Sequence, residues 1–259
     1  MQKELKIVCI QSDIIWENPE ANIQKYTELI RSTSFNTDLI VLPEMFATGF
    51  SMKPVNCAES MEGSSISWMK EIAQNKQVAI MGTLAIVEDK KYYNRFVFVH
   101  PNGELKFMNK RHLFSYGGED KVYTAGNNRL IVEYLGWKIC PMICYDLRFP
   151  IWSRNDVDYD LLVYMANWPK PRTKAWDTLL KARSIENMCY TIGVNRIGLD
   201  GSKLEYIGHT QVVDMLGNMT ANSIERKEMI IETTLDKNLL IETRKKFQFL
   251  NDRDSFELV

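Results

Sequence analysis

Short apolar runs, separated by polar turns and by segments with a helical period, make up most of this chain. Five runs predict buried strands, namely Leu5–Gln11, Asp38–Leu42, Val78–Val87, Leu161–Tyr164 and Tyr190–Val194. Turn residues predict two hairpins, Phe96–Val99 with Leu105–Met108 and Leu130–Tyr134 with Trp137–Ile143. We also expect a final pair of strands, His209–Asp214 and Met229–Thr234, around Gly217-Asn218.

Segments with apolar residues on one helical face lie between these runs. Asn18 is placed to cap a first helix that begins at Pro19, because proline is tolerated at the first helical position. Further helices are predicted at Ser65–Gln74, Pro150–Asn155 and Thr173–Met188. Strands joined by both helices and hairpins favour an α/β fold with mixed sheets and helices outside.

Length and composition fit one large domain. The chain has 259 residues, of which 45% are hydrophobic, and this is enough for a sizeable core. We find no repeat and no linker rich in Pro, Gly or Ser, so a single domain over residues 1–259 is expected. Residues 241–259 form a charged and then aromatic tail, which could dock on a partner subunit or fray.

Charge and cysteine usage exclude several classes of protein. With 32 basic and 33 acidic residues the net charge is -1, so we expect no nucleic-acid partner. Five cysteines, an odd number, do not indicate a disulfide framework. The charged start lacks a signal-peptide core, and no run of 18 apolar residues predicts a membrane span. We therefore expect a cytoplasmic protein with no membrane contact.

Cys144 stands where an apolar strand gives way to a polar turn, which is a position suited to a thiolate nucleophile. Cys140 lies four residues earlier, roughly 13 Å away in a strand, too far to share a metal or form a disulfide. His112 or His209 could pair with Cys144, but neither has a supporting spacing. Signatures of metalloproteases, P-loops and dinucleotide sites are absent, so no metal or cofactor is expected.

Two other polar residues follow apolar strands in the same way. Glu44 comes after Leu42-Pro43, and its enclosure among Met45, Phe46 and Phe50 would make it a better proton acceptor. Lys110 follows the strand that ends at Met108. Each fragment alone also fits a plain structural role, a solvent-facing carboxylate or a basic surface cluster.

Together, these fragments supply a complete set of groups for acyl transfer. Glu44 could take the thiol proton of Cys144, and the thiolate could attack a carbonyl carbon. Lys110 could stabilise the oxyanion, with the N–H of Tyr145 as a second donor.

The three fragments resemble the motifs of the nitrilase superfamily, the carbon–nitrogen hydrolases. Leu42–Phe46, Lys110–Phe114 and Cys144–Pro150 stand in the family's order, 66 and then 34 residues apart when counted between Glu44, Lys110 and Cys144. The resemblance extends from Lys6 to about Thr234. It implies a four-layer α-β-β-α sandwich and a Glu-Lys-Cys triad without cofactor. It also implies a second acidic residue, which Glu119 matches best, with Asp120 as the adjacent alternative.

Within the family, Lys110–Phe114, Trp152–Asn155 and Ala166–Pro169 are similar to the omega-amidase branch. That branch hydrolyses the terminal amide of short ω-amido dicarboxylates such as 2-oxoglutaramate, through a cysteine thioester. Arg172 could then pair with the substrate carboxylate. Four aromatic residues could form the pocket wall, or else pack in the core: Phe46, Phe114, Tyr145 and Trp168. Asp146 and Arg148 are expected as an ion pair that holds the cysteine turn.

The resemblance further implies a homodimer or larger assembly, to which we expect Thr173–Met188 and the tail to contribute. Two alternatives stay open at this point. One is a hydrolase of the same family that acts on another amide, a nitrile or an N-carbamoyl compound. The other is a binding protein with this fold and no turnover. The size of the pocket and the direction of Arg172 discriminate between substrates.

Overall fold

Strands and helices alternate along the computed structural model, which describes residues 2–32 and 36–257. The strands are β1 (Glu4–Gln11), β2 (Leu39–Val41), β3 (Ala79–Glu88), β4 (Lys91–Val99), β5 (Leu105–Asn109), β6 (Val132–Tyr134), β7 (Trp137–Ile143), β8 (Leu161–Ala166), β9 (Tyr190–Asn195), β10 (Ile197–Leu199), β11 (Glu205–Ile207), β12 (Gln211–Val213), β13 (Met219–Asn222) and β14 (Met229–Asp236). The α-helices are α1 (Pro19–Ser32), α2 (Ser64–Lys76), α3 (Thr173–Asn187) and α4 (Lys237–Phe247).

Two six-stranded mixed sheets form the centre of the molecule. The first has the order β14-β1-β2-β3-β4-β5, and the second has the order β13-β12-β9-β8-β7-β6. In each sheet the middle strands are parallel and the outer ones antiparallel. A separate hairpin, β10 with β11, stands beside the sheets.

Side-chain alternation divides each strand between two apolar layers. In β1, Ile7 and Cys9 face the second sheet, whereas Val8 and Ile10 pack in a cluster with α1 and α2. In the same way β8 contributes Val163 to the layer between the sheets, while its other face packs with α3. The predicted α-β-β-α sandwich is therefore confirmed.

The capping prediction for α1 is confirmed, because the Asn18 side chain accepts a hydrogen bond from the N–H of Ala21 at 3.1 Å. The predicted helix at Pro150–Asn155 is wrong, since these residues form turns and a short 3-10 helix occupies Cys144–Arg148 instead. The N–H of Asn155 is bonded to the side chain of Asn187 at 2.8 Å, so it does not continue a helix.

The predicted pairing of the last two strands is also wrong. β12 turns at Gly217, which has φ of 86°, and pairs with β13. β14 crosses to the first sheet and pairs antiparallel with β1 along eight residues. Ile231 and Leu235 of β14 enter the layer between the sheets, so burial decides its partner.

A hairpin between β3 and β4 escaped prediction. Its two-residue turn, Asp89-Lys90, has positive φ at both positions, which non-glycine residues adopt less readily. The strand after this turn carries Asn94. Its side chain donates to Glu44 and Glu119, and its main-chain carbonyl oxygen accepts from the N–H of Lys110.

The tail begins as a helix that packs on its own chain. Arg244 of α4 donates to the carbonyl oxygens of Met188 at 2.7 Å and Tyr159 at 2.6 Å. The last two residues of the predicted tail, 258 and 259, lie outside the described residues. Among the described residues, no helix combines the length and apolar character needed to cross a bilayer.

Candidate active site

Glu44, Lys110 and Cys144 meet although 100 residues of chain separate the first from the last. Glu44 follows β2, Lys110 follows β5 and Cys144 follows β7, so each side chain leaves the end of a buried strand. Glu44 and Lys110 are fully buried, and Cys144 is half-buried at the floor of a cavity.

Glu44 is held on both carboxylate oxygens. Its Oε1 accepts from Lys110 Nζ at 2.9 Å and from Asn94 Nδ2 at 2.8 Å. Its Oε2 accepts from the main-chain N–H of Asn167 at 2.8 Å. The Asn167 side chain donates back to the Glu44 carbonyl oxygen at 2.6 Å, so the turn after β2 is tied to the end of β8.

Glu119, rather than Asp120, is the acidic residue that joins this group. Glu119 is fully buried, and Lys110 Nζ lies 3.1 Å and 2.9 Å from its two oxygens. The N–H of Phe114 donates to Glu119 Oε2 at 2.6 Å. Asp120 points outward and is exposed.

Charge and burial act together on the ionisable groups. Burial raises the pKa of Cys144 well above its ordinary value, the charge of Glu44 adds to this rise, and Lys110 opposes it. Burial alone would lower the pKa of Lys110, but the charges of Glu119 and Glu44 outweigh it and the pKa is raised. Burial and the charge of Glu44 raise the pKa of Glu119 against the attraction of Lys110. The site therefore holds the neutral thiol of Cys144 beside the ammonium group of Lys110, which stays positively charged.

The turn at the thiol is strained and is braced by Asp146. Cys144 has φ of 43°, which is uncommon for a residue with a side chain, and its Sγ is 3.9 Å from the carbonyl oxygen of Asn167. Asp146 Oδ2 accepts from the N–H of Ile143 at 2.9 Å, and its Oδ1 lies 2.7 Å from His112 Nδ1.

The predicted ion pair between Asp146 and Arg148 is wrong, because Asp146 pairs with His112 and Arg148 turns to the cavity. His112 stacks on Phe149 with ring centroids 3.7 Å apart, and its hydrogen bond goes to Asp146. A Cys144–His112 dyad is not formed.

A cavity of about 350 Å³ opens above Cys144. Of the residues predicted to surround a substrate, Phe114, Tyr145, Trp168 and Arg172 line it. Phe46 does not line it, and its predicted role as a wall is wrong. The Phe46 ring is fully buried and packs against Tyr26 and Trp68, with centroids 5.6 Å and 5.7 Å away.

Two guanidinium groups line the cavity and stack on its aromatic walls. Arg172 lies over the Phe114 ring at 5.0 Å, and Arg148 lies over the Trp168 ring at 5.1 Å. Within residues 2–32 and 36–257, neither has a carboxylate ion-pair partner. The cavity therefore offers a small anion two guanidinium groups without an ion-pair partner in these ranges, and Glu17, Lys53 and Asp200 also line it.

The carbon–nitrogen hydrolase family profile matches residues 6–245. The chain belongs to this family. It is 41% identical to omega-amidase YafV of Escherichia coli K12 over 98% of both chains. It is 32% identical to a 2-oxoglutaramate amidase of Bacillus subtilis, over 95% of this chain and 96% of that one.

A solved structure agrees with both the fold and the family. A CN-hydrolase superfamily protein from Xanthomonas campestris, solved with an arsenic adduct in its active site, has a TM-score of 0.97. It is 39% identical and covers 100% of both chains. The chain is therefore a hydrolase of carbon–nitrogen bonds.

Three residues around the site were missed or misassigned from the sequence. Asn94 lies inside a strand, where an amide gives no motif signal. The ring of Phe50 has its centroid 5.1 Å from Lys110 Nζ, and Phe50 lines the cavity at the wall predicted for Phe46. Arg148 is predicted to pair with Asp146, and its place in the turn directly after Cys144 is the signal that could have located it at the cavity.

Proposed function

We propose that this protein is an omega-amidase that releases ammonia from 2-oxoglutaramate and similar short ω-amides through a thioester on Cys144. One observation carries the proposal. A thiol, a fully buried Glu44–Lys110 pair and two unpaired guanidinium groups converge on one small cavity. The named activities of the relatives from Escherichia coli and Bacillus subtilis support the same substrate class.

In the first step Cys144 attacks the amide carbon. The Sγ–H proton passes to Glu44, the sulfur electron pair forms the C–S bond, and the carbonyl oxygen becomes an oxyanion. The N–H of Tyr145 and the positive charge of Lys110, whose ammonium group donates to Glu44 and Glu119, stabilise that oxyanion. When the C–N bond breaks, Glu44 returns the proton to the leaving nitrogen and ammonia departs, which leaves a thioester.

In the second step water attacks the thioester carbon. Glu44 accepts a proton from the water as the C–O bond forms, and it returns this proton to the sulfur as the C–S bond breaks. The products are the dicarboxylate and the free thiol. Because burial keeps the pKa of Cys144 high, the thiol needs the adjacent carboxylate to react at neutral pH.

Glu44→Gln is expected to lower kcat for ammonia release by about 10²- to 10⁴-fold, because the amide cannot take the thiol proton. Ammonia release from 2-oxoglutaramate measures this directly. Asp120→Asn is the matched control, since Asp120 is an exposed acid close in sequence to the site. Full turnover by Glu44→Gln would show that Glu44 is not the acceptor of the thiol proton.

Arg172→Met and Arg148→Met are each expected to raise KM for 2-oxoglutaramate by about 10- to 100-fold, because a charge-assisted hydrogen bond to its carboxylate is lost. The KM for a short amide without a carboxylate should rise much less. Steady-state kinetics with the two substrates measure the difference. If KM rose equally for both substrates, the arginines would shape the cavity and would not bind a carboxylate.

A homodimer or larger assembly stays a prediction from the family resemblance. Several apolar side chains of α3 and the C-terminal segment are exposed: Ile185, Leu239, Ile241, Phe247 and Phe249. These would be covered if the segments met a second copy. Light scattering at micromolar concentration should give at least twice the mass of the chain, and a monomer would contradict the prediction.

A further inference from the structure

We propose that Asn94 is a positioning residue that leaves Oε2 of Glu44 as the oxygen that carries the reaction proton, and that Glu119 serves as a fixed anion and not as a second base. The inference rests on the proposed function and deepens it. It follows from the hydrogen bonds that each carboxylate oxygen accepts.

The orientation of the Asn94 amide is fixed by its neighbours. Thr83 Oγ1 accepts from the N–H of Met45 at 2.8 Å and is hydrogen-bonded to Asn94 Oδ1 at 2.9 Å. Because the Met45 N–H already donates to the hydroxyl oxygen, the hydroxyl proton can point at Asn94 Oδ1. The amide nitrogen of Asn94 must then face the carboxylates, and both its protons are donated to them.

Asn94 Nδ2 divides its two protons between Glu44 and Glu119. It lies 2.8 Å from Glu44 Oε1 and 3.1 Å from Glu119 Oε1. Asn94 and Thr83 are both fully buried, so no solvent replaces these donors. The amide therefore fixes the distance between two carboxylates that repel each other.

Every acceptor position of Glu119 is filled. Oε1 accepts from Asn94 and Lys110, and Oε2 accepts from Lys110 and from the N–H of Phe114. A carboxylate oxygen has about two acceptor positions, so a proton on Glu119 would displace a donor. Although burial raises the pKa of Glu119, the geometry leaves no place for its proton, and we assign it the charged state.

Glu44 differs at one oxygen. Oε1 accepts from Lys110 and Asn94, whereas Oε2 accepts only from the N–H of Asn167 within the described residues. The carbonyl oxygen of the same Asn167 is the contact of Cys144 Sγ. Besides burial, a side-chain hydrogen bond to Glu44 raises the pKa of Cys144, so the thiol lies beside this carboxylate. Oε2 is the carboxylate oxygen that can take the Sγ–H proton without losing one of its donors.

Asn94→Leu tests this assignment, because leucine keeps the volume and removes both donors. We expect kcat to fall about 10- to 100-fold with KM changed by less than about 3-fold, since hydrogen bonds to charged groups are lost at the base and not at the substrate. The acid limb of kcat/KM should move to higher pH. Against the rise caused by burial, the hydrogen bond from Asn94 lowers the pKa of Glu119, so its loss lets the site take up a proton at higher pH, while Lys110 and Cys144, which also face Glu44, are unchanged.

Two further variants separate positioning from simple loss of stability. Thr83→Val frees the amide to rotate and should lower kcat in the same direction, whereas Thr83→Ser should restore it. Asn155→Leu is the control, because Asn155 is equally buried and its side chain bonds only main-chain groups away from the site. If Asn155→Leu changed kcat per folded enzyme as much as Asn94→Leu, the inference would be overturned.

The substrate itself is not needed for the sharpest comparison. The rate of alkylation of Cys144 by iodoacetamide should fall at least 10-fold at neutral pH in Asn94→Leu and keep its value in Asn155→Leu. An unchanged rate and pH profile in Asn94→Leu would overturn the positioning role. If the native enzyme released no ammonia from 2-oxoglutaramate, the proposed function would fail, while the alkylation result would still decide the role of Asn94.

Discussion

Cys144→Ala is expected to abolish ammonia release, with a fall in kcat on the order of 10⁵-fold or more, because the nucleophile of both steps is removed. The remaining groups, Lys110 and the N–H of Tyr145, polarise a carbonyl but offer nothing that forms the intermediate. Initial rates of ammonia release over long incubations measure the residual activity.

Cys140→Ala is the matched control for this loss. Cys140 lies on β7, the strand that leads to Cys144, and is fully buried in the layer beside α3, so its replacement affects packing and not chemistry. We expect the control to keep kcat and to lose only stability. Appreciable turnover by Cys144→Ala would show that water attacks the amide directly.

Lys110→Met is expected to lower the free energy of unfolding by about 3–5 kcal/mol at neutral pH, because Glu44 and Glu119 then lose the cation that compensates their burial. Urea unfolding at several pH values measures the effect. Lys106→Met is the matched control, since Lys106 lies on β5, four residues before Lys110, and is half-exposed beside Glu104. A surface ion pair of that kind contributes about 0–1 kcal/mol.

The loss in Lys110→Met should shrink as the pH falls. The pKa of Glu119 is already raised by burial and by Glu44, and removing Lys110 raises it further. The native state then binds more protons than the unfolded state, so the variant gains stability on acidification, and loses it as the pH rises through the raised pKa. A variant as stable as the native enzyme at neutral pH would show that the carboxylates are not charged together.

Local sequence signals predicted most of the layers correctly because apolar alternation and turn residues are local properties. Asn18, Pro19 and the apolar face around Tyr26 were enough to predict α1. The partner of β14 could not be predicted in that way. It pairs with β1, near the other end of the chain. The partner is decided by the burial of Ile231 and Leu235 between the sheets, which is not a local property of the sequence.

The same division holds in the candidate site. The sequence signals the three residues Glu44, Lys110 and Cys144 because each follows an apolar run. Their order and spacing, which resemble those of the family, indicate that they act together. Asn94 carries no such signal, because its importance comes from contacts with residues 50 and 25 positions away. Phe46 was misassigned because the turn after β2 decides which of two nearby aromatic residues faces the cavity.

The central claim is the thioester on Cys144, and a single-turnover experiment tests it most directly. Enzyme in excess over 2-oxoglutaramate is quenched in acid at successive times, and ammonia, the dicarboxylate and the mass of the peptide carrying Cys144 are followed. We expect ammonia to appear before the dicarboxylate, with that peptide heavier by the acyl group during the interval. Ammonia and dicarboxylate appearing together, with the Cys144 peptide unmodified at every time, would contradict the covalent mechanism.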